Sequence, residues 1–476
     1  MKEITIGRLL YGLDIVSSNA PDELLETKLT GVSTDTRTIK AGDVFFGIKG
    51  EKYDGGAYAG KAFRSGAVLA VVNEDAPDGI ETEYPVVRVH DTIRALGDAA
   101  REYRILFRGK VIGVTGTNGK TTVKEMILSV LRSRFRVHGT SGNFNNSIGL
   151  PLSLFGLDDT HECAVFEMGM SAPGEIAWLA GIARPDIGVI LNVGPAHMEF
   201  FRGIEEIAHA KTELLRSLPA DGTAVLNADD PHLVAREKDG CCRVVKFGVN
   251  CPADFRGENI VVHEDGCASF TVEGNSVRLS APGYHMVYNA LAAWGVGKLM
   301  GLKGSTIAGA LEKFTAPGMR MEILVKDGVR YINDAYNANP QSMKAAAEVL
   351  RSLLRSGEIR MTAVLGDMRE LGKMTEEAHR EIGKLFGELG IERLCLIGEY
   401  ARFYRDGAEE AGMDPGKIRV FETVADALPF IKERKAEGNT IFIKGSRALG
   451  LERIITEAPR LLESKSRGPR DSDRKA

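Results

Sequence analysis

At 476 residues the chain is too long for one ordinary core, and its length suggests about three domains. A composition of 43% hydrophobic and 26% charged residues is that of a soluble globular protein. With 61 basic against 65 acidic residues, the net charge of −4 gives no reason to expect nucleic acid or an anionic membrane as partner. The start, Met1-Lys-Glu-Ile-Thr-Ile, lacks the apolar core of a signal peptide, and no run approaches a membrane span, so a cytoplasmic address is expected. Cys163, Cys241, Cys242, Cys251, Cys267 and Cys395 contain no Cys-x-x-Cys pair. That argues against a structural zinc site and for reduced, packed thiols.

Residues 1–108 read as a small α/β domain. Gly31-Val-Ser-Thr-Asp-Thr-Arg37 and the segment Ala41 to Gly55 are polar, glycine-marked loops flanking the short apolar strand Val44 to Ile48. Arg37 and Lys49 could meet a phosphate there. Equally, Ser33, Asp35 and Arg37 could form only a local turn and ion pair.

Residues 109–318 alternate strands and helices, the pattern of a mostly parallel sheet covered on its faces. The apolar run Val111 to Val114 reads as a buried strand, and Val123, Ile127, Val130 and Leu131 follow at helical spacing. Between them lies a glycine loop, Gly113-Val-Thr-Gly-Thr-Asn-Gly-Lys-Thr-Thr122. Such a loop turns successive N–H groups toward an anion, the helix start adds partial positive charge, and a lysine reaches the outer phosphates. Nucleotide-phosphate contacts are therefore expected from Thr115, Gly116, Thr117, Asn118, Gly119, Lys120, Thr121 and Thr122, with the Thr121 hydroxyl on magnesium. Val114 stands where the usual spacing has glycine.

Further polar residues sit at strand ends of this domain. They are the amide-rich Asn143-Phe-Asn-Asn-Ser-Ile-Gly-Leu-Pro151, then Glu167, then His197 after Ile187 to Val193. In such sheets ligands bind at the carboxyl ends of the strands, so Thr121, Glu167 and His197 can converge on magnesium, a hard cation that prefers oxygen. A lone Glu or His could equally be a solvated acid or a loop hydrogen-bonder. Lys211 lies on an amphipathic helix and would ordinarily be solvated. Asn227-Ala-Asp-Asp-Pro231 reads as a turn. Asn289 could pair with an adenine edge or pack locally.

Residues 319–463 alternate strand and helix again, as a Rossmann-like domain. Its strand ends carry Tyr331-Ile-Asn-Asp-Ala-Tyr-Asn-Ala-Asn-Pro340, Ala363-Val-Leu-Gly-Asp-Met-Arg-Glu-Leu371 and Ile441-Phe-Ile-Lys-Gly-Ser-Arg447. The charged tail, 464–476, has no apolar period and is expected to be disordered.

With these pieces placed, the chain resembles the Mur ligase family, the ATP-dependent amide-forming enzymes that build the peptide of bacterial peptidoglycan. The resemblance spans Ser33 to Arg447, with Thr115-Gly-Thr-Asn-Gly-Lys-Thr-Thr122 at its core. Within the family it is most similar to the branch that adds D-alanyl-D-alanine to UDP-N-acetylmuramoyl-tripeptide. Asn143-Phe-Asn-Asn through Gly149-Leu-Pro151, Asp334-Ala-Tyr-Asn-Ala-Asn-Pro340 and Lys444-Gly-Ser-Arg447 carry that finer similarity.

The resemblance implies a three-domain α/β architecture. The first domain binds the UDP-sugar, the central P-loop domain binds ATP and two magnesium ions, and the last binds the dipeptide and closes over the site. It implies Glu167 and His197 as magnesium ligands beside Thr121, and a carbamylated Lys211 helping to hold the second ion. Lys120, Lys211 and His197 become the catalytic set. Asn289 would contact adenine, and Arg320 and Asp334 the phosphates or ribose. Substrate contacts are expected from Ser33, Asp35, Arg37, Lys49, Asn143, Asn145, Asn146, Asn337, Asn339, Lys444, Ser446 and Arg447. Met286 departs from the family's usual asparagine, and Leu451 from a common methionine. A monomer is expected. Alternatives on the same plan are the third-residue-adding enzyme and folylpolyglutamate synthase. From another class comes a non-ligating P-loop switch, against which stands the lack of an Asn-Lys-x-Asp guanine reader.

Overall fold

The computed structural model describes residues 1–50, 53–77, 84–196, 198–355, 359–436 and 440–457. The predicted tail, 464–476, lies outside the described residues. The chain forms two compact units, one of Met1–Pro317 with Glu370–Gly372, the other of the remainder from Gly318.

The first unit begins with a five-stranded sheet in the order Ile15–Ser18, Val86–Val89, Leu69–Asn73, Asp43–Phe46, Gly31–Ser33. All pairings are parallel except that of the edge strand Ile15–Ser18. Asp43–Phe46 is buried at every residue, so it shows no alternation, as expected for a parallel strand covered on both faces.

Helix Thr92–Ile105 then joins this sheet to the next. Asp91 caps it, accepting from the N–H of Ile93 at 2.8 Å and of Arg94 at 3.0 Å. Its buried face carries Leu96, Ala99, Ala100 and Tyr103 at helical spacing. Arg104 donates to the carbonyls of Ala183 at 2.7 Å and Arg184 at 3.1 Å, across the 108 boundary expected from the sequence. Gly97 meets Trp178 so closely that a Cβ would lie 2.5 Å from Cζ2. Overpacking of that kind costs about 1–3 kcal/mol. One apolar core therefore runs from Ile4 through Val71 and Val89 to Phe166 and Leu214.

The second sheet has seven strands, all parallel, in the order Phe255–Arg256, Arg243–Gly248, Thr223–Asn227, Ile187–Ile190, Lys110–Thr115, Cys163–Glu167, Val137–Gly139. Lys110–Thr115 has the strand ending at Glu167 on one side and the strand ending at Ile190 on the other. The loop after it therefore opens at a point where the chain leaves in both directions, which is where such sheets hold ligands. Helix Lys120–Arg132 covers the sheet with Val123, Met126, Ile127, Val130 and Leu131, and packs on helix His285–Leu299. A three-stranded antiparallel sheet, Glu258–Val262, Cys267–Val272 and Asn275–Pro282, completes the unit.

The second unit is built on a six-stranded sheet in the order Glu322–Lys326, Val329–Asp334, Thr440–Lys444, Met361–Gly366, Arg393–Ile397, Ile418–Phe421. Only the first pairing is antiparallel. Its register sets Asp334 opposite Lys444, so the polar ends of neighbouring strands lie side by side. Helix Pro340–Leu354 starts in a capping box of Asn339 with Ser342, with proline at its first position.

Candidate functional site

The glycine loop is shaped by what it must pass. Gly119 has φ +84°, and a Cβ there would lie 2.7 Å from Oδ1 of Asn289. Only glycine fits both the left-handed backbone and that close approach. The helix beginning at Lys120 starts without a side-chain cap from Gly119. Lys120 Nζ lies back along the loop, donating to the carbonyls of Gly116 at 2.8 Å and Thr117 at 3.1 Å. Thr121 and Thr122 are both buried.

The loop is fastened from behind by residues the sequence reading did not single out. Asn192 accepts from the Asn118 N–H at 2.9 Å and donates to the Asn118 carbonyl at 3.1 Å. The Thr117 hydroxyl accepts from Gly194 N–H at 2.9 Å. Asn227 and Asp230, read from sequence as part of a turn, hold the same segment: Asn227 donates to the Leu191 carbonyl and Asp230 accepts from Val193 N–H. Asp229 meanwhile gathers the amides of Val249, Asn250 and Cys251 and the Tyr288 hydroxyl. Burial pushes its carboxyl up, but these donors outweigh it and bring the pKa down to about 2. The signal available in the sequence was position alone, amides and acids directly after two parallel strands.

Glu167 ends the strand beside the loop and is buried, with 1% of its surface exposed. Asn145 donates to its Oε1 at 2.7 Å, while Oε2 is buried and has no partner among the described residues. Its backbone N–H donates to the Thr140 hydroxyl at 3.2 Å, and the Thr140 carbonyl accepts from the fully buried Lys124 at 2.7 Å. Thr140 and Lys124 also escaped the sequence reading. Lys211, expected from periodicity to be solvated, is instead buried at 3% exposure at the end of helix Ile204–Lys211. Burial first, and the charge of the nearby Lys120 second, hold its ammonium well below the usual lysine range. Among the described residues it has no hydrogen-bond or ion-pair partner. His197 lies outside the described residues.

Around this centre, Asn143 is exposed, and Asn146 accepts from the N–H groups of Ile148 at 3.2 Å and Gly149 at 2.9 Å, capping the next helix. Asn289 is buried and its amide donates to the sulfur of Met286 at 3.5 Å, so it packs locally against the loop. Thr115 donates to the Met168 carbonyl at 2.9 Å.

In the N-terminal sheet, Ser33, Asp35 and Arg37 form a turn and ion pair. The guanidinium binds Asp35 through Nε at 2.9 Å and Nη2 at 2.6 Å, which lowers the carboxyl's pKa to about 2. Ser33 accepts from Asp35 N–H at 3.1 Å. Lys49 pairs with Asp75.

In the second unit, Lys444 is buried and pairs with Asp334 at 2.5 Å while donating to the Asn337 carbonyl at 3.1 Å. Arg320 stacks on Tyr336 with its guanidinium 3.8 Å from the ring centre. Ser446 accepts from Arg369 N–H at 3.0 Å, and Arg447 pairs with Glu452 at 3.0 Å. Asn337 is exposed, whereas the Asn339 side chain serves as a helix cap. Asp367 and Arg369, at the end of the strand Met361–Gly366, sit beside Ser446. Asp367 accepts from the amides of Glu399 and Tyr400, each at 3.0 Å, and burial holds its carboxyl above the usual range.

No cluster of three or more His, Cys, Asp or Glu side chains is poised for a metal among the described residues. Around the glycine loop the first unit offers a buried carboxylate with an oxygen left unpartnered among the described residues, a hydroxyl at a helix start and two lysines. Such a set suits phosphates with a bound hard cation rather than an all-protein metal cage.

A parallel sheet whose central strand runs through this loop into a helix, with Lys-Thr-Thr at the turn, defines a P-loop α/β protein. Three Mur ligase profiles match it in succession: the Mur ligase family catalytic domain over residues 28–104, the Mur ligase middle domain over 114–297 and the Mur ligase glutamate ligase domain over 319–447. The chain belongs to the Mur ligase family. It is 37% identical to the UDP-N-acetylmuramoyl-tripeptide--D-alanyl-D-alanine ligase of Bacillus subtilis, over 92% of this chain and 94% of that one. A crystal structure of MurF from Acinetobacter baumannii superimposes with a TM-score of 0.85 at 30% identity, covering 96% and 99% of the two chains. The MurF ligase of Thermotoga maritima in complex with ADP gives a TM-score of 0.78 at 28% identity, covering 90% and 96%.

Proposed function

We propose that this chain is an ATP-dependent ligase that joins D-alanyl-D-alanine to UDP-N-acetylmuramoyl-tripeptide, giving the pentapeptide precursor of peptidoglycan. The observation that carries the reading is 37% identity, over 92% of the chain, to a ligase of that name. In this reading residues 1–108 hold the UDP-sugar, 109–318 hold ATP and 319–463 hold the dipeptide. The enzyme works as a cytoplasmic monomer. No helix among the described residues is long and apolar enough to cross a membrane.

The chemistry follows from the weakness of a carboxylate as an electrophile. The tripeptide's terminal carboxylate attacks the γ-phosphorus of ATP, forming an acyl phosphate and releasing ADP. The free amine of the dipeptide then attacks the acyl carbon, the amide C–N bond forms, phosphate leaves and the amine gives up its proton. Phosphoryl transfer of this kind needs positioning and charge neutralisation more than a protein nucleophile. The amides at the start of helix Lys120–Arg132 and the Lys120 ammonium supply donors and charge to the phosphates, once Lys120 leaves the carbonyls it now holds.

Thr121 and Glu167 would hold magnesium, with His197 as a further ligand. The buried, unpartnered Oε2 of Glu167 fits that role. When bound, the cation neutralises phosphate charge. Lys211 fits carbamylation, because burial and the Lys120 charge weaken its hold on a proton, and the free amine can add carbon dioxide and release a proton, becoming an anion beside the Lys120 ammonium. Carbamylated Lys211 would then help to hold a second ion.

The test is phosphate release from ATP across a matrix of muramoyl peptides and amino acceptors. Release only with tripeptide plus D-alanyl-D-alanine is the expected result. Turnover without an acceptor, or with muramoyl dipeptide plus a diamino acid, would overturn it.

A further inference from the structure

Glu213 lies two residues beyond Lys211 and no step above uses it. It is buried, with 8% of its surface exposed, at the start of the short helix Glu213–Ser217. Its two carboxylate oxygens accept from different residues of a distant segment, Oε1 from Gly174 N–H at 2.7 Å and Oε2 from Ala177 N–H at 3.0 Å. Those amides open helix Glu175–Ala183, which follows the loop that leaves Glu167.

We propose that Glu213 is a positioning residue of the nucleotide site: it ties the helix junction that carries Lys211 to the loop that follows Glu167, and so fixes those two side chains relative to one another. The proposal rests on the reading of Glu167 and Lys211 as metal-site residues.

Three features make the tie specific. Gly174, which donates to Glu213, holds φ +88°, a left-handed conformation that glycine adopts without strain. Upstream, the loop is pinned at Met168 by the Val114 carbonyl at 2.9 Å and at Gly169 by the Asn145 carbonyl at 2.8 Å, so little slack separates Glu167 from the bound amides. On the other side, the Thr212 hydroxyl bonds back to the carbonyls of Ala208 at 3.0 Å and His209 at 3.1 Å, so the junction between Lys211 and Glu213 is itself held. Carboxylates that accept two N–H groups also gain from the positive end of the helix they face. Glu175 serves the same loop differently. It accepts from the N–H groups of Ser171 and Ala172 within its own segment.

The experiment measures binding of a fluorescent ADP analogue to the full-length protein while magnesium is titrated, with kcat and KM for ATP taken separately. Glu213→Gln keeps the size of the side chain but loses one acceptor. It is expected to raise the magnesium concentration for half-saturation about tenfold, the lower end of what loss of an outer-shell partner costs. It should lower kcat by a similar factor and leave KM for ATP and ADP binding in EDTA within about twofold. Glu213→Asp, which retains both acceptors on a shorter arm, should recover part of the magnesium affinity, and it carries the test should the Gln variant fail to fold. Glu175→Gln should leave the magnesium midpoint unchanged. A lowered melting temperature with an unmoved magnesium midpoint in Glu213→Gln and Glu213→Asp would reduce Glu213 to a structural cap and overturn the proposal. Glu167→Gln separates the premise: if it leaves the midpoint unmoved, the metal reading itself fails and the proposal with it.

Discussion

Asn145 donates to one carboxylate oxygen of Glu167 at 2.7 Å and leaves the other, equally buried, without a partner among the described residues. A buried polar oxygen left unpaired is costly unless a partner arrives, and in the function proposed above that partner is magnesium, with Asn145 holding the Glu167 rotamer. Asn145→Ala should leave the fold intact and raise the magnesium needed for half-maximal ligation by about tenfold. Magnesium titration of initial rates at saturating ATP checks this. An unchanged midpoint would show that the Asn145 amide does not orient Glu167.

Lys120 donates to two carbonyls of its own loop, those of Gly116 and Thr117. Its removal should therefore cost chemistry rather than stability. Lys120→Ala is expected to reduce ligation by about a hundredfold or more, the scale of losing one donor to developing charge, with thermal melting within a few degrees of the parent. Lys120→Arg should not restore the rate, because a planar fork cannot replace a compact ammonium in the same turn. Rates and melting curves on the same preparations separate the two effects.

Lys211 is buried, unpartnered among the described residues, and close to the Lys120 ammonium. An isosteric apolar side chain should pack better there. Lys211→Met is expected to melt higher, by ~2–4 °C for each kcal/mol relieved in a domain of this size, while losing ligation. Lys211→Ala should likewise be inactive, with partial rescue by acetate, whose carboxylate can occupy the space of the missing carbamate. Full activity of either variant without added carboxylate would argue against a modified lysine.

Gly119 and Gly142 separate two costs of adding a methyl group. Both have positive φ, +84° and +54°, but a Cβ at Gly119 would lie 2.7 Å from Asn289 Oδ1, whereas at Gly142 nothing lies within 4 Å. Gly142→Ala should cost only the left-handed backbone, about 1–2 kcal/mol, and leave ADP affinity alone. Gly119→Ala adds the clash, displaces Asn289 or the loop, and should weaken ADP binding at least tenfold. Calorimetric titration of ADP into both variants tests the distinction.

Patterns carried by chain-local chemistry were legible in the sequence. The strand, glycine loop and helix from Lys110 to Arg132 followed from apolar runs and glycine spacing, and the second unit's polar strand ends from alternation of strand and helix. The Ser33 to Arg37 turn was one of two open readings, and its ion pair is what the structure holds. What stayed hidden depends on register between distant strands and on burial. Lys211 looked solvated because one helix face cannot reveal what later covers the other. Asn192 and Asp230 carry no motif of their own, and they matter only because parallel pairing brings Asn118 and Val193 beside them. The shared core across residue 108 was equally invisible, since Tyr103 and Arg104 read as ordinary helix residues until their partners 54 and 79 positions away are known.

In the second unit, His379 is fully buried and neutral. Its Nδ1 faces the Thr375 carbonyl at 2.6 Å and its Nε2 accepts from Met368 N–H at 3.0 Å, so the ring carries its proton on Nδ1 and holds the turn between Asp367 and Arg369. Burial lowers its pKa from 6.5 to about 4. In the unfolded chain the ring takes up a proton as pH falls through 6.5, whereas in the fold it does so only near 4. Stability is therefore retained above pH 6.5 and lost progressively between 6.5 and 4, by about 3 kcal/mol in total at 1.36 kcal/mol per unit. Hydrogen exchange of amides in the strand Met361–Gly366, measured from pH 7 to 4 and corrected for intrinsic rates, should show that loss. His379→Gln should be less protected at pH 7, because the ring's two hydrogen bonds and its packing on Tyr404 go. Its deficit should shrink toward pH 4, because the variant has no imidazole to titrate. Parallel pH dependences for the two proteins would show that another group sets the acid limit of this unit.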